Sequence, residues 1–266
     1  MRVKGFLLDV EGVLVADKRY AAVAGAVDFI RQVRSAGYPL RLITNNTTDD
    51  RPTLVEKLAR AGFDFTLDEL HTCTAAAVNR LRELGARRCL VLGNETLRRI
   101  VADAGFEPAD GSDVDAVVVG LDRELTYAKL QMACEAVGSH QAALLALHHN
   151  RHYTDADGNV APSVGAIAAA IEYVTQVDAT VVGKPSPVYF QQALDDIGVS
   201  AADVLVVSDD PFSDLAGAKR MGMQTAFVLS GKYHDDAVTE SITPAERPDV
   251  TIPGIGDLLR LHKLEL

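Results

Sequence analysis

An α/β fold with a doubly wound, Rossmann-type parallel sheet is predicted for this chain, and three observations carry the prediction. Short runs of Val, Leu and Ile recur without polar alternation, amphipathic helical patterns lie between most of them, and acidic, hydroxyl and lysine residues stand where several runs end. Continuous apolar runs suit strands covered on both faces, and strands separated by helices suit right-handed parallel crossovers.

The first run, Phe6 to Leu8, ends in Asp9, Val10, Glu11 and Gly12. A helix follows from Ala26, Phe29, Ile30 and Val33, which share one face of a 3.6-residue repeat. Leu40 to Ile43 forms the second strand and is closed by Thr44, Asn45 and Asn46. Cys89 to Leu92, Ala116 to Val119 and Ala143 to Leu147 come next, and Thr180 to Val182 runs into Gly183, Lys184 and Pro185. A helix then carries Phe190, Ala193, Leu194 and Ile197 on one side. Val204 to Val207 leads to Ser208, Asp209 and Asp210, with Asp214 one helical turn on, and Thr225 to Leu229 is the last strand expected.

The chain has 266 residues, 48% of them apolar, enough for a substantial core. A net charge of -11 and the lack of any basic block argue against a nucleic-acid partner. No apolar stretch is long enough to span a bilayer, and the first strand begins within a few residues of Met1, so no membrane partner is expected. Cys73, Cys89 and Cys134 are odd in number and far apart, which fits thiols in a reducing compartment and a cytoplasmic location.

In open parallel sheets the ligand sits beyond the carboxyl ends of the strands. Asp9, Glu11, Asp209, Asp210 and Asp214 gathered there would repel one another, and a hard divalent cation relieves that repulsion. Mg²⁺ is commonly held by one or two carboxylates, with phosphate oxygens and waters completing its shell. Thr44 can donate to a phosphoryl oxygen, Lys184 supplies a compact positive charge, and a carboxylate beside Mg²⁺ can accept a phosphoryl group. An acid alone after a strand is more often a turn or cap residue, and Asp209 and Asp210 could simply cap the helix near Phe212. The four groups in order point to phosphoryl chemistry.

Asp9-Val10-Glu11-Gly12, Leu42-Ile43-Thr44-Asn45-Asn46, Val182-Gly183-Lys184-Pro185 and Ser208-Asp209-Asp210-Pro211-Phe212-Ser213-Asp214 together resemble the four motifs of the haloacid dehalogenase superfamily of phosphotransferases. The long insertion between the second and third motifs is similar to the α/β cap of its nitrophenylphosphatase-like subgroup. Val164-Gly165-Ala166-Ile167 and the helix to Thr175 are typical of that subgroup. The resemblance implies a catalytic core over residues 1–72 and 179–266 and a substrate-selecting cap over 73–178. It implies Asp9 as nucleophile and metal ligand, the Glu11 carbonyl and Asp209 as further ligands, and Glu11 as acid/base. Thr44, Asn45, Asn46 and Lys184 would bind the transferring group, with Mg²⁺ as cofactor, a small phosphorylated metabolite as substrate, and a homodimer formed through the caps.

Two departures from the family pattern matter. Glu11 stands where an Asp is usual, and one extra methylene predicts a slower or retuned enzyme, since acid/base help is worth about 10² to 10⁴-fold and a shift near 1 Å costs about 10²-fold. Ser208 stands where Gly is usual and adds bulk. His148-His149-Asn150-Arg151-His152 replaces a Thr-Asn-containing loop of relatives and makes His149 a candidate substrate contact, the alternative being a polar loop leading into the turn Asp155-Ala156-Asp157-Gly158. A catalytically weak phospholigand-binding protein is the competing function, resting on Glu11. A phosphoacceptor signalling domain fits the acids, Thr and Lys but not the length or the insertion. A dinucleotide enzyme is disfavoured because no Gly-x-Gly-x-x-Gly follows the first strand.

Overall fold

A computed structural model describes residues 2–16, 19–154 and 159–260, and the expected turn at 155–158 lies outside the described residues. The chain is α/β throughout. It opens with β1 (Gly5–Asp9), α1 (Ala26–Ser35), β2 (Leu40–Thr44), α2 (Arg51–Arg60), β3 (Leu70–Thr72) and α3 (Cys73–Glu83). There follow β4 (Arg88–Leu92), α4 (Glu95–Asp103), β5 (Glu107–Ala109), β6 (Ala116–Val119), α5 (Tyr127–Gly138) and β7 (Ala143–Ala146). A hairpin of β8 (His152–Thr154) and β9 (Val160–Pro162) precedes α6 (Val164–Thr175) and β10 (Thr180–Val181). The remainder comprises α7 (Pro187–Ile197), β11 (Val204–Ser208), a π turn at Pro211–Leu215, α8 (Ala216–Arg220), β12 (Gln224–Val228) and β13 (Val250–Ile252).

These elements form two compact units, one of Met1–Thr44, Arg51–His71 and Lys184–Leu266, the other of Asn45–Asp50 and Thr72–Gly183. The first holds a six-stranded sheet in the order β13-β12-β11-β1-β2-β3. Where their registers are defined its pairs are parallel, with Phe6 opposite Leu40 on one side and Leu205 on the other. All five residues of β1 are buried, as are those of β11, so continuous apolar sequence here is what a doubly covered strand requires. Helix α1 turns Ala26, Phe29, Ile30 and Val33 inward, and the Phe29 ring meets Phe6 edge to face with centroids 5.6 Å apart. That face of the core continues through Leu8, Leu42, Leu54, Leu58, Leu205 and Val228.

The second unit has a five-stranded parallel sheet, β10-β7-β6-β4-β5, and the antiparallel hairpin β8-β9. Its core packs Leu90, Leu92, Val117 and Val119 against Ala133, Ala136, Ile167 and Ile171 of α5 and α6.

Thr180–Val182 was expected to be a strand of the core, and here the structure differs. Thr180 pairs with Leu145 and Val181 with Ala146, and the Val182 N–H donates to the Ala146 carbonyl at 3.0 Å, so β10 completes the second unit's sheet. The edge of β7 satisfies its backbone. The first unit accordingly resumes at Lys184, not at 179.

Candidate active site

Strand β1 ends in Asp9 and β11 ends in Ser208, neighbours in the sheet pointing the same way, so their following residues emerge side by side. Asp9 is 8% exposed and Lys184 only 2%. The Lys184 Nζ lies 2.7 Å from Asp9 Oδ1 and 2.7 Å from Asp214 Oδ2, one ammonium shared by two buried carboxylates. The Val10 N–H donates to Asp9 Oδ1 at 2.8 Å. Ser208 Oγ lies 2.9 Å from Asp214 Oδ2 and 3.3 Å from Asp9 Oδ2, and it accepts from the Asp210 N–H at 3.2 Å. The extra bulk expected of Ser208 is therefore accommodated, and its hydroxyl sits between the two acids.

Asp210 caps the π turn, accepting from the Phe212 and Ser213 N–H groups at 3.1 and 2.9 Å. That cap orients Asp214 back toward Lys184. The loop after β12 completes the arrangement. The Lys232 N–H donates to Asp209 Oδ2 at 2.7 Å, its Nζ lies 2.9 Å from Asp210 Oδ2, and Ser230 Oγ donates to the Gly12 carbonyl at 2.7 Å. Gly12 has φ +80, and a Cβ there or at Gly231 would run into the Asp209 carboxyl. The two glycines thus leave room for that carboxylate.

Burial dominates the electrostatics. It pushes Asp9 up to about 6, with Lys184 pulling the value down and the Asp209 carboxylate pushing it back up. Burial likewise raises Asp209 to about 6, against the Lys232 amide, and Asp214 to about 7, against Lys184. Burial would lower Lys184, yet Asp214 and Asp9 more than offset it and hold the ammonium well above its ordinary range. The acids outnumber the cation. Among the described residues no cluster of three or more His, Cys, Asp or Glu side chains forms a ready metal cage. The Asp9 and Asp209 carboxylates, close enough that Asp209 raises the affinity of Asp9 for protons, nevertheless offer the oxygen donors that a hard cation takes.

Thr44, the last residue of β2, is fully buried, and its Oγ1 lies 3.5 Å from Glu11 Oε2, a distance that marks proximity and not a strong bond. Asp9, Glu11, Thr44, Lys184 and Asp209 are thus all in the first unit. Asn45, Asn46 and His149 belong to the second. Asn46 holds its own turn, accepting from the Thr48 and Asp49 N–H groups at 2.9 Å each and donating to Asp49 Oδ2 at 3.1 Å. His149 is about half exposed, with Nε2 3.7 Å from Glu172 Oε2.

Four residues that hydrogen-bond to or pack against these groups escaped the sequence reading. Ser230, Gly231 and Lys232 follow an apolar run just as the other site residues do, and the same rule applied to Thr225–Leu229 singles them out. Tyr189 gave no signal, because an aromatic on the buried face of a helix reads as core.

Residues 6–107 match a family model described as haloacid dehalogenase-like hydrolase, and residues 181–258 match a second described as HAD-hydrolase-like. A phospholysine phosphohistidine inorganic pyrophosphate phosphatase of Xenopus laevis is 32% identical over 257 residues, covering 95% of this chain and 90% of that protein. The chain belongs to the haloacid dehalogenase-like hydrolases. Rat chronophin is 33% identical over 86% of this chain and 77% of its own. Among solved structures, a p-nitrophenyl phosphatase from Archaeoglobus fulgidus superposes with a TM-score of 0.89 at 28% identity, covering 98% of this chain and 99% of that one. NagD from E. coli gives 0.84 at 27% identity, over 97% and 98%. Within the haloacid dehalogenase-like hydrolases this chain is a phosphatase. No helix among its described residues is long and apolar enough to cross a membrane.

Proposed function

We propose that the chain hydrolyses small phosphomonoesters with Mg²⁺, through an aspartyl-phosphate formed on Asp9. The observation that carries this reading is the buried Asp9–Lys184–Asp214 arrangement at the carboxyl edge of a parallel sheet, with Thr44 and Glu11 beside one another at the same edge. A carboxylate held in place by an ammonium and a main-chain N–H is oriented for attack instead of rotating freely. One carboxylate oxygen of Asp9 bonds to phosphorus while the ester P–O bond breaks, and Glu11 gives its proton to the departing oxygen. Glu11 then takes a proton from water, whose oxygen attacks the phosphorus, releasing phosphate and restoring Asp9. Thr44 donates to the transferring group, and Lys184 balances its charge. When bound by Asp9, Asp209 and the Glu11 carbonyl, Mg²⁺ supplies charge neutralisation for the phosphoryl oxygens. Asn45 and Asn46 follow Thr44 directly and offer further donors. The second unit acts as a cap that selects substrate, with His149 as a contact.

The test is phosphate release over a panel of phosphorylated metabolites with Mg²⁺, run beside Asp9→Asn. Loss of release in that variant supports the mechanism, and activity equal to the parent overturns it. Glu11, a methylene longer than the family's usual Asp, favours the second reading of a weakly turning-over phospholigand binder. Glu11→Asp separates the two, because a retuned enzyme keeps or gains rate while a pure binder stays silent.

A further inference from the structure

Tyr189 lies shortly after Lys184, in the first turn of α7, with its side chain fully buried. Its hydroxyl accepts from the Thr44 N–H at 3.0 Å and lies 2.6 Å from the His71 carbonyl, to which it donates, with the Thr44 carbonyl farther off at 3.3 Å. Its ring packs against the His71 imidazole, centroids 4.4 Å apart. Thr44 and His71 are the residues at which two segments of the first unit end, and Lys184 begins the third. The hydroxyl thus ties together the ends of β2 and β3 from the same stretch of chain that delivers Lys184.

Packing alone does not need this hydroxyl, since Phe or Met would fill the space, and a buried phenol is costly unless both its donor and acceptor capacities are used. Here both are used, and one goes to the main chain of the residue whose side chain faces Glu11. We propose that Tyr189 is a positioning residue for the reaction, its hydroxyl fixing the backbone of Thr44 and so the place of the Thr44 hydroxyl. The proposal rests on Thr44 as a phosphoryl-binding group. It adds a residue that touches neither substrate nor reacting atoms.

A double-variant cycle separates positioning from mere support of the fold. Tyr189→Phe, Thr44→Val and the combined variant are compared by kcat/KM on p-nitrophenyl phosphate with Mg²⁺, and by the dissociation constant for inorganic phosphate. Tyr189→Phe alone is expected to lower kcat/KM on the order of tenfold to a hundredfold, as small misplacements near reacting groups do. It should also weaken phosphate binding. In the Thr44→Val background the same change should cost less than about twofold, because the group it positions is already gone. Equal losses in both backgrounds, or no loss in the parent, overturn the proposal while leaving the phosphatase reading intact. A parent that neither turns over the ester nor binds phosphate overturns both. Tyr189→Met, which is apolar and has no hydroxyl, repeats the comparison should the phenyl variant fold poorly.

Discussion

Lys184 is the residue on which the most charge depends. It is buried and paired at 2.7 Å with both Asp9 and Asp214, so Lys184→Met leaves two carboxylates in a dry place without the positive charge that balances them. Breaking a buried pair in this way costs about 3 to 5 kcal/mol. Urea denaturation of Lys184→Met should show a loss of that size, partly recovered by adding Asp214→Asn, and a midpoint unchanged from the parent would contradict the pairing. The sequence already marked Asp9, Glu11, Thr44, Lys184 and Asp209 because polar residues directly after apolar runs have few bland uses when they occur together. Ser208 was marked only as bulk. Whether a buried hydroxyl crowds its neighbours or bonds to them depends on what lies opposite, and Asp214 is opposite only because the π turn brings it round. Ser208→Ala removes the acceptor of the Asp210 N–H and the donor to Asp214, and should cost about 1 to 2 kcal/mol by the same denaturation measurement.

At the scale of elements, runs such as Val204–Val207 were readable because a doubly covered parallel strand is apolar at every position. Strand β5 was not, since Glu107-Pro108-Ala109 has neither alternation nor an apolar run and becomes a strand only by finding the edge of β4. The hairpin β8-β9 was not readable either, because strands of three residues are too short for any period to show. Strand β10 was read as a strand but placed in the wrong sheet, because a short run does not encode its neighbour. Loops carry a sharper expectation. Gly231 packs its backbone against the Asp209 carboxyl, whereas Gly37, at φ +76, has no heavy atom within 4 Å of where its Cβ would be. Gly231→Ala should therefore push Asp209 aside and lower kcat/KM on the order of 10²-fold. Gly37→Ala should register in the melting temperature alone, through backbone strain. Steady-state kinetics on both variants decide it, and matched activities would refute the packing argument.

The first unit as a whole is held at odds with its own acids. Asp9 and Asp209, each raised to about 6, and Asp214, raised to about 7, bind protons more tightly folded than unfolded. A raised carboxylate contributes stability below its unfolded value near 4 that is lost as pH climbs through the folded value. The metal-free protein should consequently melt several degrees lower at pH 7.5 than at pH 5, and saturating Mg²⁺, which favours the ionised acids, should remove most of that difference. Calorimetric scans with and without the cation at both pH values read this out. A metal-free melting temperature that rises over the interval would show that these acids are not buried together.

The placement of β1 inside its sheet has a consequence for biosynthesis. It is flanked by β2 on one side, and on the other by β11, whose Ser208 comes 199 residues after Asp9. A nascent chain leaving the ribosome can lay β2 against β1 early, but the opposite rim of β1 stays open until β11 has been made. Unpaired rims of that kind recruit other strands. Ribosomes stalled before Val204 should thus carry a product that clumps or is captured by holding chaperones, while release a few dozen codons later yields a chain able to close over its own first strand.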